Sequence, residues 1–186
     1  MPIRDGILEE LPDVNDGILE QVPVGWRFAP TDEELILSYL TKKVFVGSLP
    51  AWVIEEIDAD EFYSKHPKDL VENVSGEREW YFFINRDEYF HGKMEKNRWV
   101  GNRIGYWKSI AKENPIRDAK GNVFAFKIRY TYFSANPKHK RTHWRMEEFR
   151  LLKRSKENIE EDFHIEEWVV ARITRGEDYS SSSRFY

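Results

Sequence analysis

The chain has 186 residues, 40% hydrophobic and 15% aromatic with seven Trp, which is enough apolar material for one domain with a substantial core despite 33% charged residues. It contains no cysteine, which removes disulfide frameworks, Cys-ligated zinc and thiol nucleophiles, and suits a reducing compartment. The net charge of −4 hides an asymmetry: residues 91–145 hold fourteen Lys/Arg against three acids, a net +11, whereas residues 1–90 hold 8 against 20 and residues 146–186 hold 7 against 10.

A cationic segment of this kind attracts polyanions even within an acidic molecule, and a phosphate backbone is the leading partner. No apolar run approaches the roughly 18 residues of a membrane helix. The N-terminus Met1-Pro2-Ile3-Arg4-Asp5 lacks the apolar core of a signal peptide. The expectation is a soluble intracellular protein with no membrane partner.

Residues 5–12 (DGILEELP) and 16–23 (DGILEQVP) agree at six of eight positions. Two copies are too few for a solenoid, so residues 1–21 read as an acidic N-terminal arm with a tandem repeat. Only the second copy continues into Val24-Gly25-Trp26-Arg27-Phe28, which makes it the structural one. Next, Thr31 followed three residues later by Glu34 is a capping box, with Asp32 and Glu33 at the positive end of the helix dipole. Leu35, Ile36, Tyr39 and Leu40 then recur at helical spacing, predicting a helix from about Asp32 to Lys43. Leu49-Pro50-Ala51-Trp52 predicts a turn into a second short helix, Val53 to Ile57 a short strand, and Ala59 to Lys65 a helical turn ending before Pro67.

After Gly76 the pattern becomes β. Strands are predicted at Glu79 to Ile84, Gly105 to Ile110, Val123 to Phe133, Thr142 to Leu152 and Glu167 to Thr174, with a hairpin turn at Asp118 to Asn122 and a polar loop at Lys153 to Asp162. Consecutive strands without intervening helices imply an antiparallel sheet, and the helices fall in the first third, so the class is α+β. Ser180 to Ser183 is a low-complexity end within a Ser-rich tail, residues 176–186.

No phosphate-loop, dinucleotide, nucleophile-elbow or zincin motif occurs. His139 and His143 stand i, i+4 within Pro137-Lys138-His139-Lys140-Arg141-Thr142-His143, where cations repel a metal ion. The clusters Glu33-Glu34, Glu55-Glu56 and Glu160-Glu161-Asp162 read as solvated faces rather than paired catalytic carboxylates. No cofactor, metal or small-molecule substrate is expected, and an enzyme has no motif to stand on. Nucleic acid remains. A strand can enter a major groove and present alternate side chains to base edges. Gly105 to Ile110 suits that: Gly105 allows close approach, Lys108 offers a donor, and Tyr106 and Trp107 point to opposite faces, so that one can anchor the core while the other reaches outwards; equally, both can belong to the core.

Taken together, the blocks resemble the NAC domain of plant transcription factors. The matching pieces are Val22-Pro23-Val24-Gly25-Trp26-Arg27-Phe28-Ala29-Pro30-Thr31-Asp32-Glu33-Glu34-Leu35 (family LPPGFRFxPTDEEL), Trp80-Tyr81-Phe82-Phe83 (WYFF), and Asn97-Arg98 with Gly105-Tyr106-Trp107-Lys108 (NR and GYWK). Pro137-Lys138 with Arg141 to Leu151 answers PKGxKTxWIMHEYRL, and Trp168 to Ile173 answers WVLCRI. They stand in the family's order across residues 22–174.

The resemblance implies a twisted antiparallel β-sheet flanked by a few helices, spanning residues 22–175, in a nuclear transcription regulator. It implies a homodimer, or a heterodimer with related NAC proteins, with Val22, Pro23, Val24, Gly25 and Trp26 packed across the two-fold axis and Arg27 and Glu34 bridging the protomers. It also implies double-stranded DNA as partner. The matching contact positions are Arg98, Trp107, Lys108, Ser109, Ile110 and Lys112, with Lys138, Lys140 and Arg141 on phosphates.

This chain also departs from the family. Where the family reads WKATG, it has Trp107-Lys108-Ser109-Ile110-Ala111, so a hydroxyl is lost at Ile110 and close backbone approach is restricted at Ala111. The segment from Arg98 to Trp107 is two residues longer, with Arg103 in the extra length. Ser134-Ala135 replaces Gly-Lys, a loss that Lys127 and Arg129 are expected to offset in part. Phosphate attraction survives these changes better than base reading. The alternative is a NAC-like dimerisation module that binds DNA weakly and modulates related factors.

Overall fold

The computed structural model describes residues 27–47, 54–71, 78–85, 97–136, 138–152 and 168–176. The second half of the pattern Phe28-Ala29-Pro30-Thr31 leads into helix α1, residues 32–46, which begins as α-helix (Asp32–Glu34), passes through a π-helical stretch (Leu35–Leu40) and ends as α-helix (Thr41–Val46). The capping box forms as expected. The Thr31 hydroxyl accepts from the Glu34 N–H at 3.2 Å, and the Glu34 carboxylate accepts from the Thr31 N–H at 2.9 Å. In the wider turn the Thr41 hydroxyl donates to the Ile36 carbonyl, five residues back, at 2.9 Å. Gly47, at φ 77°, closes the helix in the left-handed conformation that favours glycine.

Strand β1 (Glu55–Asp58) is followed by the short helices α2 (Ala59–Phe62) and α3 (Pro67–Leu70). Pro67 starts α3 instead of merely ending what precedes it, because its missing N–H costs nothing at a first helical position. The remaining strands are β2 (Glu79–Asn85), β3 (Asn97–Val100), β4 (Gly105–Ser109), β5 (Asn114–Arg117), β6 (Val123–Ser134), β7 (Lys140–Leu151) and β8 (Trp168–Arg175). They form one sheet in the order β1-β2-β8-β7-β6-β4-β3, with β5 pairing β6 beyond the end of β4. All pairings are antiparallel except β1 with β2, which is parallel. The sheet is therefore mixed at one edge, and the α+β class holds.

Both faces are buried over much of the sheet, which is why Tyr81 to Ile84 reads as a continuous apolar run. On one face Trp107, Tyr132, Met146 and Ile173 pack with Phe62 of α2 and with Tyr63. On the other, Leu35, Ile36 and Leu40 of α1 pack against Phe83, Phe149 and Val170. The residues of α1 thus cover the β2-β8-β7 side of the second face. Its far end, on β6 and β4, carries the exposed residues Arg129 and Lys108. The repeat, Val22 to Trp26, Leu49 to Trp52, the 153–162 loop and the Ser-rich end lie outside the described residues.

Candidate nucleic-acid interface

The register of three strands decides which basic residues share a face. Tyr106 pairs with Phe133, Trp107 with Tyr132 and Lys108 with Thr131, and paired residues of antiparallel strands point to the same side. Lys108 and Tyr106 therefore stand on the face of α1, together with Arg129, Thr131 and Phe133 of β6. Continuing across, Phe133 pairs with Arg141 and Thr131 with Arg145 of β7. Trp107 faces the other way.

Trp107 is fully buried against Tyr132, ring centroids 5.2 Å apart. This corrects its expected role as a DNA contact: it is the aromatic that anchors the core, and Tyr106, half-buried, is the one that reaches outwards. Arg98 is corrected for the same geometric reason. It pairs with Trp107 across β3 and β4, so its side chain enters the core, where it makes a two-pronged ion pair with buried Glu148 and donates to the Tyr63 hydroxyl. Burial pulls its pKa down, but Glu148, Tyr63 and Tyr130 together outweigh burial and keep the guanidinium firmly charged. Gly105 is likewise used internally. A Cβ there would sit 2.6 Å from the Phe133 carbonyl oxygen, up against the Tyr132 ring, so the close approach it permits is between strands.

The free edge expected from the sequence at Gly105 to Ile110 is shorter in the structure. From Gly105 to Lys108, β4 has β3 on one side and β6 on the other. Only residues 109–113 leave this arrangement, before β5 rejoins β6. The Ile110 N–H donates to the Arg129 carbonyl at 3.0 Å, and the Ser109 hydroxyl donates to the Ala111 carbonyl at 2.8 Å, which turns the chain outwards. Ile110 is 50% exposed, and Lys112 is exposed beside it.

A strip of aromatics runs across the outer face. Trp99 and Tyr106 have centroids 4.9 Å apart, Tyr106 stacks on Phe133 at 5.4 Å, and His139 lies 5.7 Å from Tyr106. Cations sit on it: Arg103 over Trp99 at 5.1 Å and Lys108 over Phe133 at 5.8 Å. Arg103 holds φ 60° in the turn between β3 and β4 and is exposed, as are Lys138, Lys140 and Arg141 at the β6–β7 turn. The contact of His139 with Tyr106 brings that turn to the start of β4.

Charge divides this face into two parts. Beside α1, Lys127 pairs with Asp32 at 2.5 Å and lies 3.6 Å from Glu147, Arg129 lies 3.3 Å from Glu147, and Arg172 bridges Asp32 and Glu147. Lys127, only 13% exposed, is thus consumed in fastening α1 to the sheet, which corrects its expected role in compensating for Ser134-Ala135. Arg129 is half-exposed but shares Glu147. Farther out, Lys108, Lys112, Lys138, Lys140 and Arg141 make no ion pair among the described residues. Arg145 belongs with them and was not singled out by sequence. Flanked by core residues Trp144 and Met146, it carries no local signal apart from its alternate position in β7.

Of the two dimer candidates within the described residues, Arg27 is 46% exposed and 4.0 Å from Glu79. Glu34 is exposed while serving the α1 cap. Among the described residues no group of acidic or histidine side chains could hold a metal ion, and no helix is long and apolar enough to cross a membrane.

A curled sheet clamped between helices, with its cations neutralised beside α1 and making no ion pair among the described residues at the far end, defines an α+β domain that presents positive charge from a sheet end. Residues 23–151 match the protein family described as "No apical meristem (NAM) protein". The chain is 38% identical over 153 residues to the tomato (Solanum lycopersicum) NAC domain-containing protein JA2, covering 82% of this chain and 42% of that protein. It is 36% identical over 157 residues to Protein ATAF2 of Arabidopsis thaliana (82% and 53%), and 37% over 156 residues to NAC transcription factor 32 of the same plant (82% and 59%). The chain belongs to the NAC (NAM) family, and it spans about half the length of these relatives.

Proposed function

We infer that this domain binds double-stranded DNA and works in the nucleus as a transcription regulator, paired with a second NAC domain. The observation that carries the reading is the cluster of Lys108, Lys112, Lys138, Lys140 and Arg141, which makes no ion pair among the described residues, whereas Lys127, Arg129 and Arg172 beside α1 are matched by Asp32 and Glu147. Family membership points the same way, since one of the relatives is named as a transcription factor. In this reading residues 109–112 enter the groove, the β6–β7 turn holds phosphates, and Arg27 and Glu34 cross the two-fold axis with Val22 to Trp26 packed beside them.

Titration of a labelled duplex at several salt concentrations tests it. Each phosphate neutralised contributes about −0.9 to the slope of log K against log salt. A flat response overturns DNA binding. A second reading, a dimerisation module that binds DNA weakly, is favoured by one observation: Ile110, in the turn that would enter the groove, is 50% exposed and offers a base no hydrogen bond. Mixed dimers that lose affinity for the partner's target site support it.

A further inference from the structure

Strand β7 carries one more cation on the face of Lys108. Arg145 pairs with Thr131, and Thr131 pairs with Lys108, so the two basic residues stand two strands apart, about 10 Å at the backbone. The guanidinium of Arg145 is anchored: Nη1 donates to the carbonyl oxygens of Thr142 at 2.7 Å and Trp144 at 3.1 Å. Those bonds leave Nη2 and Nε available as donors. The one acid in its row, Glu147, already serves Lys127, Arg129 and Arg172. The charged neighbour that Arg145 does feel is Arg141, which, after burial itself, pulls its pKa down. Two like charges held together in a folded chain, with no carboxylate between them among the described residues, are an anion site in waiting, because an anion relieves their repulsion.

We propose that Arg145, together with Arg141, forms a phosphate clamp that fixes one DNA strand on the face of the sheet beside Lys108. This rests on the DNA-binding reading above and adds to it a contact outside the basic turn and the groove-entering edge. At the same position the motif WIMHEYRL has Ile, so the charge is an addition of this chain. A guanidinium whose orientation is set by two carbonyls suits bidentate capture of phosphate oxygens. The contact attracts the backbone of any sequence, which makes up in affinity for hydrogen bonds that Ile110 and Ala111 do not offer to bases.

The test is a titration of labelled duplexes at 50 to 200 mM salt with the unaltered chain, Arg145→Ile and Arg145→Gln. The Gln variant keeps a donor for the Thr142 and Trp144 carbonyls and loses only the charge, so it answers the question should the Ile variant fold poorly. Each variant is expected to lower the salt slope by about 0.9 per protomer, so that affinity falls about 3.5-fold less per protomer over that range, and to do so equally on duplexes of unrelated sequence. An unchanged slope in both variants, while the unaltered chain remains salt-dependent, overturns the clamp and leaves DNA binding standing. A loss confined to one duplex sequence also overturns it, since that is base reading. A flat salt response in the unaltered chain removes the DNA reading itself.

Discussion

Arg98 of the edge strand β3 and Glu148 of β7, fifty residues apart in sequence, meet in the core as an ion pair in which the two side chains are 9% and 1% exposed. Tyr63 and the face of Tyr130, 4.5 Å from the guanidinium carbon, complete the enclosure. Such a pair ties β3, which among the described residues has a strand on one side only, to the centre of the sheet. Removing one partner leaves the other charged and buried, at a cost of about 3–5 kcal/mol. Arg98→Ala and Glu148→Gln are therefore expected to lower the urea midpoint strongly, and to weaken DNA binding only in proportion to unfolding. The double substitution Arg98→Met with Glu148→Leu should recover most of the lost stability, because apolar groups of similar volume replace a costly desolvated pair. If Arg98→Ala keeps its full stability and loses DNA affinity, the guanidinium is an external contact after all.

The two lysines of the cationic stretch that look alike in sequence should behave oppositely. Lys108→Ala is expected to make the salt slope of duplex binding shallower by about 0.9 per protomer with little change in stability. Lys127→Ala is expected to leave the slope alone and destabilise the domain, since Lys127 belongs to the Asp32–Glu147 network. Lys120→Ala, at the exposed β5–β6 turn, should do neither. Equal slope changes for Lys108 and Lys120 would show that the strand does not hold the backbone.

The difference between those lysines also marks how much was legible in the chain. The capping box, the period-2 aromatics of β6 and the apolar run of β2 are local signals, and each produced its element. Strand β3 has four residues, and β5 contains Pro115 and opens on Asn114, so neither shows a strand-like pattern by itself; each exists because a longer strand offers it an edge. The orientation of Arg98 depends on the pairing of β3 with β4. The fate of Lys127 depends on Asp32, 95 positions earlier. Charge counted along the chain marks a cationic segment, but counting cannot separate a cation matched by a distant acid, such as Lys127, from one that meets none among the described residues.

At the N-terminal end of α1, Glu34 has two demands on it. In the proposed dimer Arg27→Glu should yield a monomer by light scattering, and adding Glu34→Arg should restore pairing. Because Glu34 also closes the capping box and sits at the positive end of the helix dipole, Glu34→Arg is expected to cost about 1 kcal/mol by itself. The double variant should then regain the dimer without regaining that stability. A dimer unaffected by Arg27→Glu would refute the assignment.

Gly105 tests the packing beneath the proposed reading surface. With the Phe133 carbonyl oxygen 2.6 Å from the site of a new Cβ, backbone has to move to admit even alanine. Gly105→Ala should destabilise by about 1–3 kcal/mol, as overpacking does, whereas Gly121→Ala in the open β5–β6 turn meets no atom and is strained only by its φ of 85°. Intrinsic tryptophan fluorescence would report the shift, since Trp107 lies against the displaced Tyr132.

Asp32 links the helix cap to the charge network, and its titration has a definite sign. Burial pushes its carboxyl pKa up, but hydrogen bonds and charges from Lys127 and Arg172 together outweigh burial and hold it below the ordinary value, which is about 3.9. A carboxylate depressed in the folded state stabilises fully above its unfolded pKa, and that contribution is lost as pH falls through the folded value. The stability difference between the unaltered chain and Asp32→Asn should therefore be constant from pH 7 to about pH 5 and shrink below about pH 4. Urea midpoints of both proteins at pH 7 and pH 3 measure it. High salt at pH 7 should narrow the gap only partly, since Lys127 and Arg172 are largely shielded from solvent at 13% and 15% exposure. A gap that persists undiminished at pH 3 would mean that Asp32 acts through the helix backbone rather than through its two cations.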